Sequence, residues 1–238
     1  MKSLLILLFF LVPVLLTAQQ PVPCDSLLER LAEPVLTGDV YEIPLVSGES
    51  QYFSDEWLKG SVTLSNGLTL NDQHFKYNGY IDQLLWINKN YLQIKLDKKP
   101  ILSFTLRDKD HPDKYYCFEK LQLPGNSGTD SAAFYAQILY DDKFSLLVRR
   151  KVIRNGTDQW NAGHAILDNF EKKNIYYFRE GNRISKGTDK IRKKYILDIL
   201  QGFLPEPTPE LWTDKRFRIK TEEELTALTE WLNRTQNW

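Results

Sequence analysis

Leu58-Lys59-Gly60-Ser61-Val62-Thr63-Leu64-Ser65-Asn66-Gly67-Leu68-Thr69-Leu70 is the stretch that decides the fold class. Val62 and Leu64 alternate with Ser61, Thr63 and Ser65, and the alternation resumes at Leu68 and Leu70. A period of two places every second side chain on one face, the mark of a half-buried strand. Asn66-Gly67 between two such runs predicts a two-residue hairpin turn with both central residues at positive φ. In the simple register Val62, Leu64, Leu68 and Leu70 then share one buried face.

Moving downstream, Phe75 and Tyr77 extend the second strand or open a third. Leu84–Ile87 and Tyr91–Leu96 flank the turn Asn88-Lys89-Asn90, and Ile101–Leu106 is a further strand. Tyr115–Leu123 and Phe134–Tyr140 flank a loop of small residues, and Asp141-Asp142-Lys143 turns the chain into Phe144–Ile153. Asn155-Gly156 is the next punctuation. Ile175–Phe178 and Arg183–Ser185 surround Gly181-Asn182, another tight hairpin. Strands joined by short turns are antiparallel neighbours, because parallel pairs need long crossovers.

Both ends of the chain read as helical. Ser26-Leu27-Leu28-Glu29 has the form of a capping box and Pro34 closes the short helix after it. Thr188 or Asp189 caps a helix to about Phe203, with Ile191, Tyr195, Ile196, Ile199, Leu200 and Phe203 on one side. Pro205, Pro207 and Pro209 form a stiff connector. Thr221-Glu222-Glu223-Glu224 is a second capping box, ahead of Leu225, Leu228, Trp231 and Leu232. The expected class is α+β, mainly β. An antiparallel meander forms a barrel-like or sandwiched sheet, with a short N-terminal helix and two C-terminal helices covering an open edge or face.

Upstream of all this, Met1-Lys2-Ser3 leads into an apolar run of 13 residues, Leu4–Leu16, and then Thr17-Ala18. A positive end, a short apolar core and a small residue describe a secretory leader cut after Ala18. The run falls short of the roughly 20 residues that span a bilayer, so no membrane span is expected after cleavage. An uncleaved N-terminal anchor is the alternative. The expected divisions are 1–18, signal peptide; 19–57, N-terminal helix and extended lead-in; 58–187, antiparallel β domain; and 188–238, a helical segment packed on that domain.

The full chain of 238 residues carries 31 basic and 31 acidic side chains. A balanced chain lacks the basic footprint that nucleic acid requires. Its two cysteines, Cys24 and Cys117, are a possible disulfide in an oxidising export compartment. Such a bridge closes a long loop, worth roughly 4–5 kcal/mol in the chain-entropy model. A buried Cys117 thiol and a free Cys24 are the other reading.

The segments Glu56–Gly67, Phe75–Trp86 and Lys95-Leu96-Asp97-Lys98 resemble a group of exported bacterial β-rich proteins of unknown function, over about residues 53–106. The resemblance implies export and a β-rich fold, and carries no activity and no catalytic residues.

Motifs for chemistry are sparse. Gly125-Asn126-Ser127-Gly128 has the look of a serine-protease nucleophile loop, but His74, in Asp72-Gln73-His74-Phe75, does not sit in the matching base motif. Asp108, Asp110 and Asp113 around His111 offer oxygen ligands for calcium. They lack the EF-hand glycine and terminal glutamate, and Lys109 and Lys114 oppose a cation. His74, His111 and His164 are too scattered for a structural zinc site. Lys190, Arg192, Lys193 and Lys194 make a basic cluster, read as the solvated side of a helix or as a contact for anionic headgroups. Asn155-Gly156-Thr157 and Asn233-Arg234-Thr235 match a glycosylation acceptor without consequence in a bacterial protein.

The expected function is a non-enzymatic binding or structural module of the cell envelope, periplasmic or extracellular, with no cofactor. Its partner is an envelope protein, a glycan or a lipid. Two alternatives stand beside it. One is an envelope hydrolase whose carboxylates or serine assemble in space, with Asp55-Glu56 or Asp141-Asp142 as contributors. The other is a carrier enclosing a hydrophobic ligand.

Overall fold

Alternating apolar residues produce strands along most of the chain. The computed structural model describes residues 36–43, 46–123, 133–160, 165–204 and 219–235. Among these residues are twelve strands, β1 (Gly38–Val40), β2 (Val46–Gly48), β3 (Leu58–Leu64), β4 (Thr69–Asn78), β5 (Gln83–Ile87), β6 (Gln93–Leu96), β7 (Ile101–Arg107), β8 (Tyr115–Gln122), β9 (Ala133–Tyr140), β10 (Phe144–Trp160), β11 (Ala165–Glu180) and β12 (Arg183–Ile184). Two helices follow among the described residues, α1 (Lys193–Leu200) and α2 (Glu222–Thr235). The leader, Cys24, the Ser26–Glu29 capping box, the Gly125–Gly128 loop, His164 and the proline connector lie outside the described residues. Among the described residues no helix is long and apolar enough to cross a membrane.

The sheet runs β1-β6-β5-β4-β3-β7-β8-β9-β10-β11-β12 and is antiparallel throughout this path. It is a meander with two steps out of order, since β1 pairs with β6, and β7 pairs with β3 and not with β6. Only residues 97–100 join β6 to β7. That link reaches at most about 18 Å. Four flat strand spacings would need about 19 Å. The turn bond from the Ile101 N–H to the Lys98 carbonyl shortens the link further. The first half of the sheet must therefore curl over itself.

The curl is filled by aromatic rings. Phe104 and Phe118 stack at 4.6 Å between centroids, Tyr135 stands edge-on to Phe104 at 5.1 Å, and Tyr77 lies 5.2 Å from Phe118. Val62, Phe75, Leu84, Leu96, Ile101 and Leu106 close around them. Burying each such side chain is worth about 1.5–3 kcal/mol. Asp82 locks the rim of this core. Its carboxylate accepts hydrogen bonds from the Tyr77 hydroxyl at 2.6 Å and the Tyr135 N–H at 3.2 Å, and it pairs with Lys98.

The second half of the sheet is covered by helices. Phe144, Leu146 and Val148 of β10 and Tyr176 and Phe178 of β11 pack on Ile196, Leu197 and Leu200 of α1 and Leu225, Leu228 and Leu232 of α2. Arg150 stands where the two cores meet. Its guanidinium donates to both Glu222 oxygens, at 2.8 and 2.7 Å, and to Gln137 at 2.7 Å, and it lies over the Phe53 ring.

The sheet does not close into a barrel, but a strap of residues 46–53 crosses its open side. β2 pairs in parallel with β11 at Asp168–Phe170, Glu49 bridges to Phe170, and Tyr52 bridges to Asn78 at the end of β4. This parallel contact departs from an all-antiparallel expectation. The long connection between β2 and β11 permits it.

Local signals held or shifted for identifiable reasons. The Thr221–Glu224 box forms: the Glu224 N–H donates to the Thr221 hydroxyl at 3.3 Å, and the Glu224 carboxylate accepts from the Thr221 N–H at 3.2 Å. Asn66-Gly67 turns the chain, but only Gly67 takes positive φ, at +84°. The Gly67 N–H reaches the Leu64 carbonyl and the Leu64 N–H the Leu68 carbonyl, giving a three-residue loop with glycine in the left-handed position. Val62 does face Leu70, while Leu68 is 46% exposed. Asn155-Gly156 is a bulge inside the 17-residue β10. Thr188 does not cap a helix: its backbone pairs with Tyr176 on the sheet edge, so α1 starts at Lys193.

Candidate functional site

The outer face of β4, β3, β7 and β8 carries the positions that alternate with the aromatic core. His74 is paired across from Lys59, Arg107 is paired across from Tyr115, and the Gly60–Leu106 pair places Lys59 next to Arg107. His74, Lys59, Arg107 and Tyr115 thus form one row over four neighbouring strands. A parallel row contains Ser61, Thr105 and Cys117, with the Ser61 and Thr105 hydroxyls 2.8 Å apart.

Two hollows lie along this row, and a third adjoins the first. One of about 350 Å³ is lined by Glu56, Trp57, Lys59, His74, Arg107 and Pro112, among others. A second, of about 280 Å³, takes in Lys59, Ser61, Asn71, Asp72, Arg107 and Tyr115. The third, of about 370 Å³, lies between Phe53, Ser54, Glu56 and the Asp108–Asp110 arm, with Tyr116 behind. Lys59 and Arg107 border the first two, and Glu56, Asp108 and Lys109 border the first and third, so the three make one furrow.

Each wall has a structural cause. Trp57 is held by Lys76, whose ammonium donates to the Asp55 carbonyl at 2.6 Å and lies 4.7 Å from the Tyr52 ring centre and 5.3 Å from that of Trp57. Burial lowers the Lys76 pKa, partly offset by Asp55 and Glu56. A bulge in β4 supplies the opposite wall. Gly60 pairs with Gln73 and Val62 with Leu70, so Asn71 and Asp72 together oppose Ser61. Asp72 accordingly takes φ +55°, and both residues border the second hollow.

The Asp108 loop is built for rigidity. Asp108 Oδ1 accepts from the N–H groups of Asp110 at 2.9 Å and His111 at 3.0 Å, and Oδ2 accepts from the Tyr116 hydroxyl. The Tyr116 hydroxyl and the His111 N–H hold the Asp108 pKa down at about 2. Tyr116 is raised in turn, first by that bond to Asp108. The calcium reading fails on this geometry: Asp108 is consumed by its own loop, and no cluster of three His, Cys, Asp or Glu ligands occurs among the described residues.

The remaining sequence candidates are placed as follows. Asp55 accepts from the Ser50 hydroxyl and Glu56 pairs with Lys109, whose pKa that contact raises. Asp141 accepts from Ser145 at 2.8 Å and lies 3.4 Å from Arg179, while Asp142 accepts from the Lys143 N–H. The two acidic pairs are at separate turns and do not converge. Cys117 is half-buried beside Thr105 and Ile138. Burial raises its pKa, and among the described residues it has no disulfide partner. The sequence reading did not single out Lys59, Arg107, Trp57 or Tyr115. Strand parity alone places Lys59 and Arg107 opposite the apolar positions, but their adjacency needs the β3–β7 pairing.

No protein-family model, no curated protein and no solved structure matches this chain.

Proposed function

We propose that this chain is an exported, non-enzymatic binding module of the cell envelope that grips a carboxylate-bearing glycan in the furrow on its outer face. One observation carries the reading. The row His74-Lys59-Arg107-Tyr115 sets cationic groups between two aromatic walls, Trp57 and Tyr115, on a rigid sheet. Lys59 has no salt-bridge partner among the described residues, and Tyr115 is 53% exposed. Aromatic faces stack on sugar rings, while a cation anchors each carboxylate. Asn71, Asp72 and the Ser61 hydroxyl border the same furrow and offer hydrogen-bonding groups.

The filled aromatic curl supports a binding surface over a carrier, which needs an apolar cavity wide enough for its cargo. The hollows described here open outward and are lined by charge. Titration of acidic polysaccharides against the protein's tryptophan fluorescence tests the proposal. Quenching is expected, and Lys59→Ala combined with Arg107→Ala is expected to weaken binding by about 10- to 100-fold. Binding unchanged in that double variant removes the furrow from the function. Export is tested separately: protein recovered from the envelope is expected to begin at or near Gln19.

A further inference from the structure

The balance of charge over the whole chain conceals a strong local excess. Residues 149–194 contain 13 Lys and Arg against 5 Asp and Glu. This segment is the β10–β11 hairpin, β12 and the start of α1. Several of its cations are neutralised. Arg150 pairs with Glu222, Arg154 with Asp168, Lys173 with Asp189, Arg179 with Glu119 and Arg183 with Glu180. Lys151, Lys172, Lys186, Lys190, Arg192 and Lys194 have no salt-bridge partner among the described residues. All but Lys151 are exposed.

Apart from Lys151, which lies on β10, these cations lie on β11, in the segment that runs beside its outer edge at Thr188, and at the start of α1. Between β2, paired at Asp168–Phe170, and Thr188, bridged to Tyr176, the strand edge around Lys172 and Lys173 has no strand partner among the described residues. The Lys173–Asp189 pair, at 2.9 Å, brings Lys190 beside this edge. Exposed aromatic and aliphatic groups accompany the charge. Tyr195 is 39% exposed and lies under the Lys190 ammonium at 4.8 Å. At the other end Tyr80 packs on Phe170 of β11 with ring centres 5.1 Å apart, and Tyr80 and Ile81 are 43% and 36% exposed.

We propose that the outer edge of β11 and the start of α1 form a contact surface for a membrane leaflet rich in anionic lipid headgroups. Lysines and arginines near such a leaflet are attracted by its surface potential. A tyrosine with an apolar body and a polar tip is suited to the headgroup boundary, where long lysine side chains also reach into water. The exposed aliphatic Ile81 favours a lipid surface over a soluble polyanion, which gains nothing from it. Bound this way, the protein is held at the membrane by one side while the furrow, on different strands, is left for its own ligand.

Co-sedimentation of the full chain with vesicles tests this. Vesicles of phosphatidylcholine with about one-third phosphatidylglycerol are compared with phosphatidylcholine alone, at low and high salt. The N-terminal segment, with its apolar Leu4–Leu16 run and its Lys2 charge, is the same in the wild type and the variants, so its contribution cancels when they are compared. The expected result is a preference for the anionic vesicles that salt abolishes. Lys172→Ala, Lys190→Ala and Lys194→Ala together are expected to lower that partitioning by about 100-fold, at about fivefold per charge. These side chains are exposed, and an unchanged thermal midpoint confirms that the variant folds. The furrow variant Arg107→Ala is expected to partition like the wild type. Equal binding to both vesicle types overturns the proposal, as does full binding by the triple variant. Salt-sensitive binding to dextran sulfate without preference for anionic vesicles also overturns it, by assigning the charge to a soluble polyanion.

Discussion

The Gly79 carbonyl accepts a hydrogen bond from the Val152 N–H at 3.0 Å, although Gly79 directly follows β4 and Val152 lies in β10, five places away in the sheet. The Gly79 N–H in turn donates to the Gln51 carbonyl of the strap at 2.9 Å. Gly79 is therefore the point at which the curled half of the sheet, the strap and the long hairpin are joined. A Cβ there would lie 2.3 Å from the Arg150 carbonyl oxygen and 3.0 Å from Val152 Cγ2. The obstacle is backbone, which cannot rotate aside. Gly79→Ala is expected to cost about 1–3 kcal/mol, as overpacked sites do. Denaturant unfolding measures the loss, and an unchanged midpoint would show that the junction contributes nothing.

Gly67 gives the contrasting case. A Cβ at this turn meets nothing within 4 Å, so space imposes no penalty. The penalty is conformational, because φ is +84° and a β-branched residue resists that region. Gly67→Val is expected to lower stability by about 1–2 kcal/mol, with the m-value unchanged. A wild-type midpoint in the variant would mean that the loop relaxes to another turn without loss.

Arg150 and Glu222 join the sheet to α2. Glu222→Gln removes the charge but keeps the shape, so one guanidinium contact becomes a neutral hydrogen bond and the other faces an amide NH2, while the bond to Gln137 of β9 remains. Breaking a buried pair costs about 3–5 kcal/mol, and less is expected here, about 2–3, because the Glu222 side chain is 26% exposed. The double variant Arg150→Met, Glu222→Leu is expected to be more stable than Glu222→Gln alone. Chemical denaturation of these variants and of the single Arg150→Met and Glu222→Leu measures both, and additive losses in that cycle would show that the two residues are uncoupled.

Asp108 predicts an acid limit for its loop. Its folded pKa, about 2, lies below the usual 3.8, so the folded protein favours the ionised form. The contribution to stability is complete above pH 3.8 and disappears as pH falls through 2. Carboxyl NMR titration is expected to give the lowered pKa, and Asp108→Asn is expected to narrow its stability difference from the wild type over that interval. An ordinary titration near 3.8 would mean that the Tyr116 and backbone contacts are not kept in solution.

The hairpins and the α2 cap were legible in the chain because each depends on neighbours within a few residues. Alternation at Val62 and Leu64, glycine at 67 and 181, and Thr221 with Glu224 act through local sterics and local hydrogen bonds. Details of the same turns were not legible. Whether Asn66 joins Gly67 at positive φ depends on the number of loop residues that the flanking register allows, and the register is a property of both strands. Similarly, Asn155-Gly156 has the composition of a turn, yet β11 pairs on both sides of it and converts it into a bulge.

The sequence by itself determined a mainly β chain with an α-helical end, and it determined which side of each strand is apolar, because period and propensity are written residue by residue. Tertiary structure alone decided that β7 pairs with β3, that residues 46–53 strap β11 to β4, and that Lys59, Arg107, Trp57 and Tyr115 meet around one furrow. These contacts join residues far apart in sequence. The short β6–β7 link, the curl it forces, and the strand edges left open by the first hairpins set them, and none of these is encoded in a local pattern.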